Sequence, residues 1–450
     1  MASNLKIRLY DDPLQTALDS FLDVESGRRP EEALASRWAL LDQKGRALAS
    51  ALVYETVRHK SRLERLVSSA LKRGRAEPGL MSLLMMSAAR LVILEGAPDY
   101  AVVDSAVELA KKRFPGRASL VNAVLRKLLS GKGEGVWPFE PAPSWADTPA
   151  RRLSLFYSYP YWLSERLVFS LGLREARAVM AAGNQTVPPT LRVNPLKTSR
   201  EELKKILGFP AAETRFSPWG LSPEKFQGPP ETWPGFAQGL FSIQDEASQI
   251  LGLMLNSPGS VLDACAGLGG KTTLMATLLP EARIVAVDPD GRKLSALGQE
   301  AARLGLKRAP ETCKSILQQA PLNGELFDLV VVDAPCSGLG VIRRRPDLKW
   351  VKKEADLPRH QAFQLELLSS ASEKAAKGGR LIYCVCTFAP EEGPEVVEKF
   401  LASSKGAFRL LGQGEIPELL RPLLCQPGCL RLWTHRHGTD GFFYALLARV

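Results

Sequence analysis

The run Asp263-Ala264-Cys265-Ala266-Gly267-Leu268-Gly269-Gly270-Lys271-Thr272 decides the fold. It follows a short apolar segment, residues 261–263, and opens an apolar stretch with helical spacing. Three glycines in four positions suit a tight strand-to-helix turn: without Cβ atoms the backbone can approach a ligand, and the next helix offers that ligand unpaired N–H groups. The tail Gly269-Gly270-Lys271-Thr272 superficially resembles a phosphate-binding loop, but Gly267 stands three residues before Gly270 where such a loop requires five. The next apolar run ends at Asp288, twenty-five residues after Asp263, where a carboxylate can accept hydrogen bonds from both hydroxyls of a ribose. Alternatively, Asp288 caps a helix starting near Gly291. Apolar runs at 261–263, 284–288, 329–333 and 380–385 alternate with helical stretches. That alternation predicts parallel βαβ units in a doubly wound, Rossmann-like sheet.

Towards the N-terminus the period changes. Apolar residues recur at three- and four-residue spacing through residues 37–57, 61–72, 80–95, 101–114 and 118–129, the last with Val121, Val124, Leu125 and Leu128 on one face. This predicts an all-α bundle. Residues 131–150 are rich in Gly, Pro and Trp and break both periods, as a linker does. Between residues 161 and 207 two helical stretches flank a strand-like run, 188–194, after a proline pair. The chain of 450 residues is therefore expected to form three domains: a helical one over 1–135, a small α+β one over 145–245, and an α/β one over 246–450.

Lys and Arg number 59 against 48 Asp and Glu, a net charge of +11. Residues 1–132 hold 22 of these basic groups against 15 acidic ones, so seven of the eleven excess charges sit there. Such a balance favours a polyanionic partner, because Lys and Arg release counterions from phosphates; solvated surface charge is the plainer alternative. The first eight residues lack the apolar stretch of a secretory signal. The most apolar window, 79–97, carries Arg90 mid-run with helical spacing, which suits a buried helix better than a membrane span. All seven cysteines lie after residue 260, unlike a disulfide framework, and a reducing cytoplasm is expected.

Two later strands end in cysteine-containing turns, Asp333-Ala334-Pro335-Cys336-Ser337-Gly338 and Tyr383-Cys384-Val385-Cys386-Thr387-Phe388-Ala389-Pro390-Glu391-Glu392. Ligands of open α/β sheets bind beyond the carboxyl ends of the strands, so these thiols should converge beside the glycine-rich turn. The two segments resemble the fourth and sixth motifs of RNA cytosine-5 methyltransferases. The likeness extends over residues 340–350, 241–248 and 436–443, and residues 49–58, 101–111 and 121–126 resemble a NusB-like RNA-binding domain. With both parts, the chain is similar to the Sun (Fmu) type of that family, which acts on 16S ribosomal RNA.

The resemblance implies S-adenosyl-L-methionine as cofactor, a cytosine in 16S ribosomal RNA as target, and a soluble monomer needing no metal. It implies that Cys386 adds to carbon 6 of the base, since carbon 5 is too weak a nucleophile unaided. Asp333 would hold the N3/N4 edge, and Cys336 would help remove the carbon-5 proton. Cys265, Ala266, Gly267, Leu268, Gly269, Gly270 and Lys271 would wrap the methionine and ribose, with Asp288 on the ribose hydroxyls and Asp333 nearby. Cys384 reads as a small buried residue. The chain departs from the family at Gly267-Leu268, where Ala-Pro is usual, and at Val385 and Gly393. It also departs at Lys314, where an acidic residue normally meets the adenine amino group; Glu311 is a substitute acceptor. A transfer RNA target, or an RNA-binding assembly factor with weakened cofactor affinity, are the alternatives. Arg343-Arg344-Arg345, which follows the Asp333 to Gly340 motif, is expected to contact phosphate near a flipped base, with a solvated turn as the plainer alternative. Cys425, Cys429, His435 and His437 match no standard zinc spacing.

Overall fold

The computed structural model describes residues 13–72, 75–94, 96–132, 147–322 and 324–450. Most of the expected linker, the first residues and Glu95 lie outside them. The chain divides into two compact units, Met1–Asn184 with Arg345–Val351, and Gln185–Arg344 with Lys352–Val450.

The first unit is helical, with its main helices at Pro13–Glu25, Gln43–Arg58, Lys60–Ala70, Pro78–Val92, Asp99–Arg113, Ala118–Lys132 and Tyr161–Gly183. The stripe Val121, Val124, Leu125 and Leu128 is buried in one core with Leu52, Leu63, Leu83 and Val102, as three- and four-residue spacing requires. The helix expected over 37–57 starts only at Gln43, because the Asp42 carboxylate accepts the Gly45 N–H at 2.7 Å and caps it there. The window around Arg90 is the buried helix Pro78–Val92, and no described helix is long and apolar enough to cross a membrane. The segment Arg345–Val351 completes this unit. Its Lys349 ammonium has no exposed surface (0%) and donates to Arg58 O at 2.6 Å, Ser158 O at 2.9 Å and Asn184 Oδ1 at 3.0 Å. Trp350 Nε1 donates to Val57 O at 2.7 Å.

The second unit begins with a small antiparallel sheet of β1 (Leu191–Val193), β2 (Ala211–Glu213), β3 (Gly220–Pro223) and β4 (Phe241–Ile243), in the order β2-β3-β1-β4. Its helix, Arg200–Leu207, starts at a Ser199/Glu202 capping box. A nine-stranded sheet follows: β5 (Ser260–Asp263), β6 (Arg283–Asp288), β7 (Glu311–Lys314), β8 (Phe327–Asp333), β9 (Ala375–Val385), β10 (Phe408–Leu410), β11 (Leu424–Gln426), β12 (Cys429–Leu432) and β13 (Phe442–Arg449). Strands β7-β6-β5-β8-β9 run parallel, and β13, β12 and β11 add antiparallel beyond β9. Because β5 lies between β6 and β8, the strand order reverses beside it, and the carboxyl ends of β5 and β8 open the crevice typical of such sheets. The four strands expected from the apolar runs are β5, β6, β8 and β9. These strands are buried on both faces, which is why they read as continuous apolar runs.

Candidate active site

The turn after β5 holds Gly267 and Gly269 at φ 55° and 85°. A Cβ on Gly269 would also meet Leu297 at 2.3 Å, so this position requires glycine both for backbone and for space. In front of Gly267 nothing lies within 4 Å, leaving room at the turn. The Asp288 carboxylate, at the end of β6, accepts from Gly267 N at 3.0 Å and from Asp290 N at 2.8 Å. The helix cap is Asp290 rather than Asp288, since its Oδ1 accepts the Arg292 N–H. Asp288 is thus a buried carboxylate at the crevice, beside an open cleft of about 630 Å³ lined by Pro289, Asp290, Gly291, Arg292, Ser295 and Lys314. A carboxylate at a glycine turn next to such a cleft fits a nucleoside-bearing cofactor.

Lys314 pairs in register with Asp288, at the crevice end of β7, and its Cδ lies 3.2 Å from where a Gly291 Cβ would stand. Glu311 does not replace the missing acceptor. It stands at the opposite end of β7, in register with Val285, and its carboxylate pairs with Arg283 at 2.8 Å and Arg308 at 3.4 Å.

The parallel pairing of β8 with β9 sets Asp333 opposite Cys384. From these strand ends the two turns bring the sulfurs of Cys336 and Cys386 to 3.4 Å. Lys271 reaches across from the helix after the glycine turn, with Nζ 2.6 Å from Asp333 Oδ2 and 4.9 Å from the Phe442 ring centroid. Burial alone would depress the Lys271 amine, but the Asp333 carboxylate reverses this and holds the ammonium above its ordinary range. The bonded Cys386 thiol, then burial, raise the Cys336 thiol well above its usual value, so Cys336 holds its proton. Cys384 is fully buried with Sγ 3.4 Å from Asp333 Oδ1, and burial raises its thiol likewise. Asp263 accepts the Thr272 hydroxyl at 2.6 Å and is pushed up to about 6 by burial. Of the expected site residues, Asp333, Cys336, Cys386 and Lys271 come together here, with Cys265–Gly270 and Asp288 along the same strand ends.

The arginine run contradicts expectation. Arg343 is buried, with Nε 2.5 Å from Asp440 Oδ1 and Nη2 2.9 Å from Asp245 Oδ2; Arg344 reaches the same carboxylates at 3.1 and 2.8 Å. Arg345 lies in the helical unit and pairs with Asp347 at 2.8 Å and Glu31 at 3.3 Å. Phosphate contact by this run is replaced by internal ion pairs, because one buried and one half-buried guanidinium here face two buried carboxylate groups. Among the described residues no three His, Cys, Asp or Glu side chains gather as a metal set. His437 Nδ1 instead accepts the Trp433 N–H at 2.8 Å.

Sequence reasoning also missed three supports of the site. Arg192 of β1, buried, donates to Gly270 O at 2.7 Å and Thr273 Oγ1 at 3.0 Å, tying the small sheet to the glycine turn. Gly340 N donates to Cys386 O at 3.0 Å, and a Cβ at Gly340 would lie 2.0 Å from Gly441 O, so only glycine allows this approach. A buried Glu392 joins the two cysteine turns. The signal for all three was present as motif residues, Arg192 in 188–194, Gly340 and Gly441 in 340–350 and 436–443, and Glu392 at the end of 383–392, but nothing local names their partners.

Comparison with known proteins places the chain. Residues 250–448 match the model of 16S rRNA methyltransferase RsmB/F, residues 14–130 the NusB family, and residues 159–226 the ferredoxin-like domain of RsmF/B-like methyltransferases. The Bacillus subtilis (strain 168) protein named "Probable ribosomal RNA small subunit methyltransferase B" is 34% identical over 413 residues, 90% of either chain. The Ribosomal RNA small subunit methyltransferase B of Escherichia coli O6:K15:H31 (strain 536 / UPEC) is 30% identical over 95% of this chain and 96% of its own. The crystal structure of PH0851 shares the fold at TM-score 0.78, 24% identity, 97% of this chain and 98% of that one. The architecture is therefore a NusB-like helical domain, a small ferredoxin-like domain and a Rossmann-like methyltransferase domain. On this likeness along nearly its whole length, the chain belongs to the 16S rRNA methyltransferase RsmB/F family.

Proposed function

We propose that this protein methylates carbon 5 of one cytosine in 16S ribosomal RNA, using S-adenosyl-L-methionine and a covalent bond between Cys386 and carbon 6. The observation that carries this reading is the 3.4 Å separation of the Cys336 and Cys386 sulfurs at the crevice end of the sheet, next to Asp333. One reacting thiol needs no such neighbour; addition followed by elimination needs two groups on the same ring.

The cofactor supplies a methyl group as electrophile. The turn Cys265 to Lys271 and the Asp288 carboxylate would hold its methionine and ribose. By its place in the sixth motif Cys386 is the sulfur that attacks, its thiol proton passing to solvent as the thiolate forms. Its addition to carbon 6 moves the C5–C6 π pair to carbon 5, which takes the methyl group. Asp333, fixed by Lys271, would hold the N3/N4 edge of the base meanwhile. Elimination transfers the carbon-5 proton to the Cys336 sulfur, once its resting proton has passed to solvent, restores the double bond and expels Cys386. The NusB-like domain, with its excess of basic residues, is the candidate RNA-docking part, and the protein acts as a monomer.

We predict that Cys386→Ala abolishes turnover and that Cys336→Ala accumulates a covalent RNA adduct on a denaturing gel. Bisulfite sequencing of ribosomal and transfer RNA from cells lacking the protein should show one newly unprotected 16S cytosine. Full activity in Cys386→Ala would reject the assignment. A second reading, an RNA-binding assembly factor with weak cofactor affinity, is favoured by Lys314 standing at the cleft while Glu311 is turned away. No S-adenosylmethionine binding at millimolar cofactor would select it.

A further inference from the structure

We propose that Glu392 is a positioning residue for the release step, gripping the turn that carries Cys336 while leaving Cys386 to other supports. This rests on the two-cysteine reading above.

Glu392 has no exposed surface (0%), an unusual place for a carboxylate unless it is fully hydrogen-bonded. Its Oε1 accepts from Ser337 N at 2.7 Å and Gln364 Nε2 at 3.2 Å, and its Oε2 accepts the Ser337 hydroxyl. Gln364 Nε2 also donates to Pro335 O at 2.9 Å. The Cys336 residue is therefore held on both sides: by the amide after it directly, and by the carbonyl before it through Gln364. Glu392 is itself fixed, since the Tyr383 hydroxyl of β9 donates to its backbone oxygen at 2.6 Å.

Cys386 depends on different anchors. Its backbone oxygen accepts from Gly340, and the strand leading to it pairs with β8 on one side and β13 on the other. The carboxylate's cluster reaches the residue after Cys386 through the Ser337 Oγ to Thr387 Oγ1 contact, at 2.9 Å, and the Thr387 hydroxyl is held separately by the Ala389 N–H at 3.2 Å. Loosening Glu392 therefore displaces Cys336 from its 3.4 Å station and spares the attacking sulfur. The negative charge beside Cys336 also contributes to keeping its thiol protonated at rest.

The test uses the full chain with a 16S rRNA transcript and S-adenosylmethionine, comparing wild type, Cys336→Ala, Glu392→Gln and Ser337→Ala for turnover, covalent adduct and melting temperature. Glu392→Gln replaces an acceptor by a donor facing Ser337 at nearly unchanged volume. We expect turnover to fall about ten- to a hundredfold, the cost of one hydrogen bond to a buried charge, while the adduct per enzyme rises above wild type, with a smaller change in the same direction for Ser337→Ala. If Cys336→Ala traps adduct but Glu392→Gln loses turnover without adduct, or keeps wild-type turnover, the positioning role is wrong. If Cys336→Ala traps none, the two-cysteine chemistry itself fails. Should Glu392→Gln not fold, Ser337→Ala decides alone: adduct accumulation supports the role, and its absence overturns it.

Discussion

Lys271 in the methyltransferase unit and Lys349 in the helical unit are both withdrawn from water, yet their surroundings move them in opposite directions. Lys271 faces a carboxylate, Asp333, and is held charged. Lys349 bonds three neutral oxygens, and burial, reinforced by Arg58 and only partly offset by Glu55, pushes its amine well below the usual lysine range. Burial sets the size of the electrostatic stake, and the charge of the bonded partner sets its sign. The strand-end crevice keeps a paired charge, whereas the helical unit sets the Lys349 nitrogen against neutral backbone and amide oxygens.

The contrast is most easily broken at Lys271. Lys271→Met leaves Asp333 without its cation at the proposed reacting centre, and we expect kcat to fall by about 10²–10³, as for loss of one oriented charged group, with melting little changed. Near-normal kcat would mean that the pair is structural only. Lys349→Met should instead act on stability. Orphaning these acceptors costs about 1–3 kcal/mol for each one left unpaired, so the helical unit should lose at least that much, read from urea denaturation. The same experiment repeated from pH 7 to 10 tests the direction of the shift. A lysine whose folded-state value lies below its unfolded value binds more protons when unfolded, so stability in that window rises with pH towards the ordinary lysine value. Lys349→Met should flatten this slope. An unchanged slope would show that Lys349 stays charged among its three oxygens.

The same distinction explains what the sequence made legible. Features set by local period and composition could be read directly: the stripe Val121 to Leu128 in a helix, the doubly buried strands β5, β6, β8 and β9, and the glycine turn before Lys271. Features set by partners distant in sequence could not. The Arg343-Arg344 pair looks like a phosphate grip because Asp245 and Asp440 lie almost a hundred residues away on either side, at separations of 98 and 97 residues from Arg343. Glu311 looks like a spare acceptor for Lys314 until the register of β7 on β6 places it at the far end. The short strands β10 to β12 at the antiparallel end of the sheet are three or four residues long, too short to show a period. Cys336 and Cys386 were legible as motif residues, but their 3.4 Å approach depends on the pairing of β8 with β9.

The smallest effect, and the sharpest test of the partner rule, lies at Asp263. It is the acidic counterpart of Lys349: buried, bonded through its side chain to the neutral Thr272 hydroxyl, and pushed up to about 6 mainly by burial. Because the folded value exceeds the unfolded one near 3.8, the folded state binds more protons between those pH values. The stability this group contributes is present below about pH 4 and is lost as pH rises through 6. Asp263→Asn keeps an oxygen for Thr272 without the charge. The variant should therefore match wild type near pH 4 and become the more stable of the two above pH 6, as measured by urea midpoints for the methyltransferase unit at pH 4, 5, 6 and 7. Parallel pH profiles for the two proteins would mean that Lys271 neutralises Asp263 as well as Asp333, and the rule drawn from the two lysines would then hold for clusters of charges rather than for bonded partners.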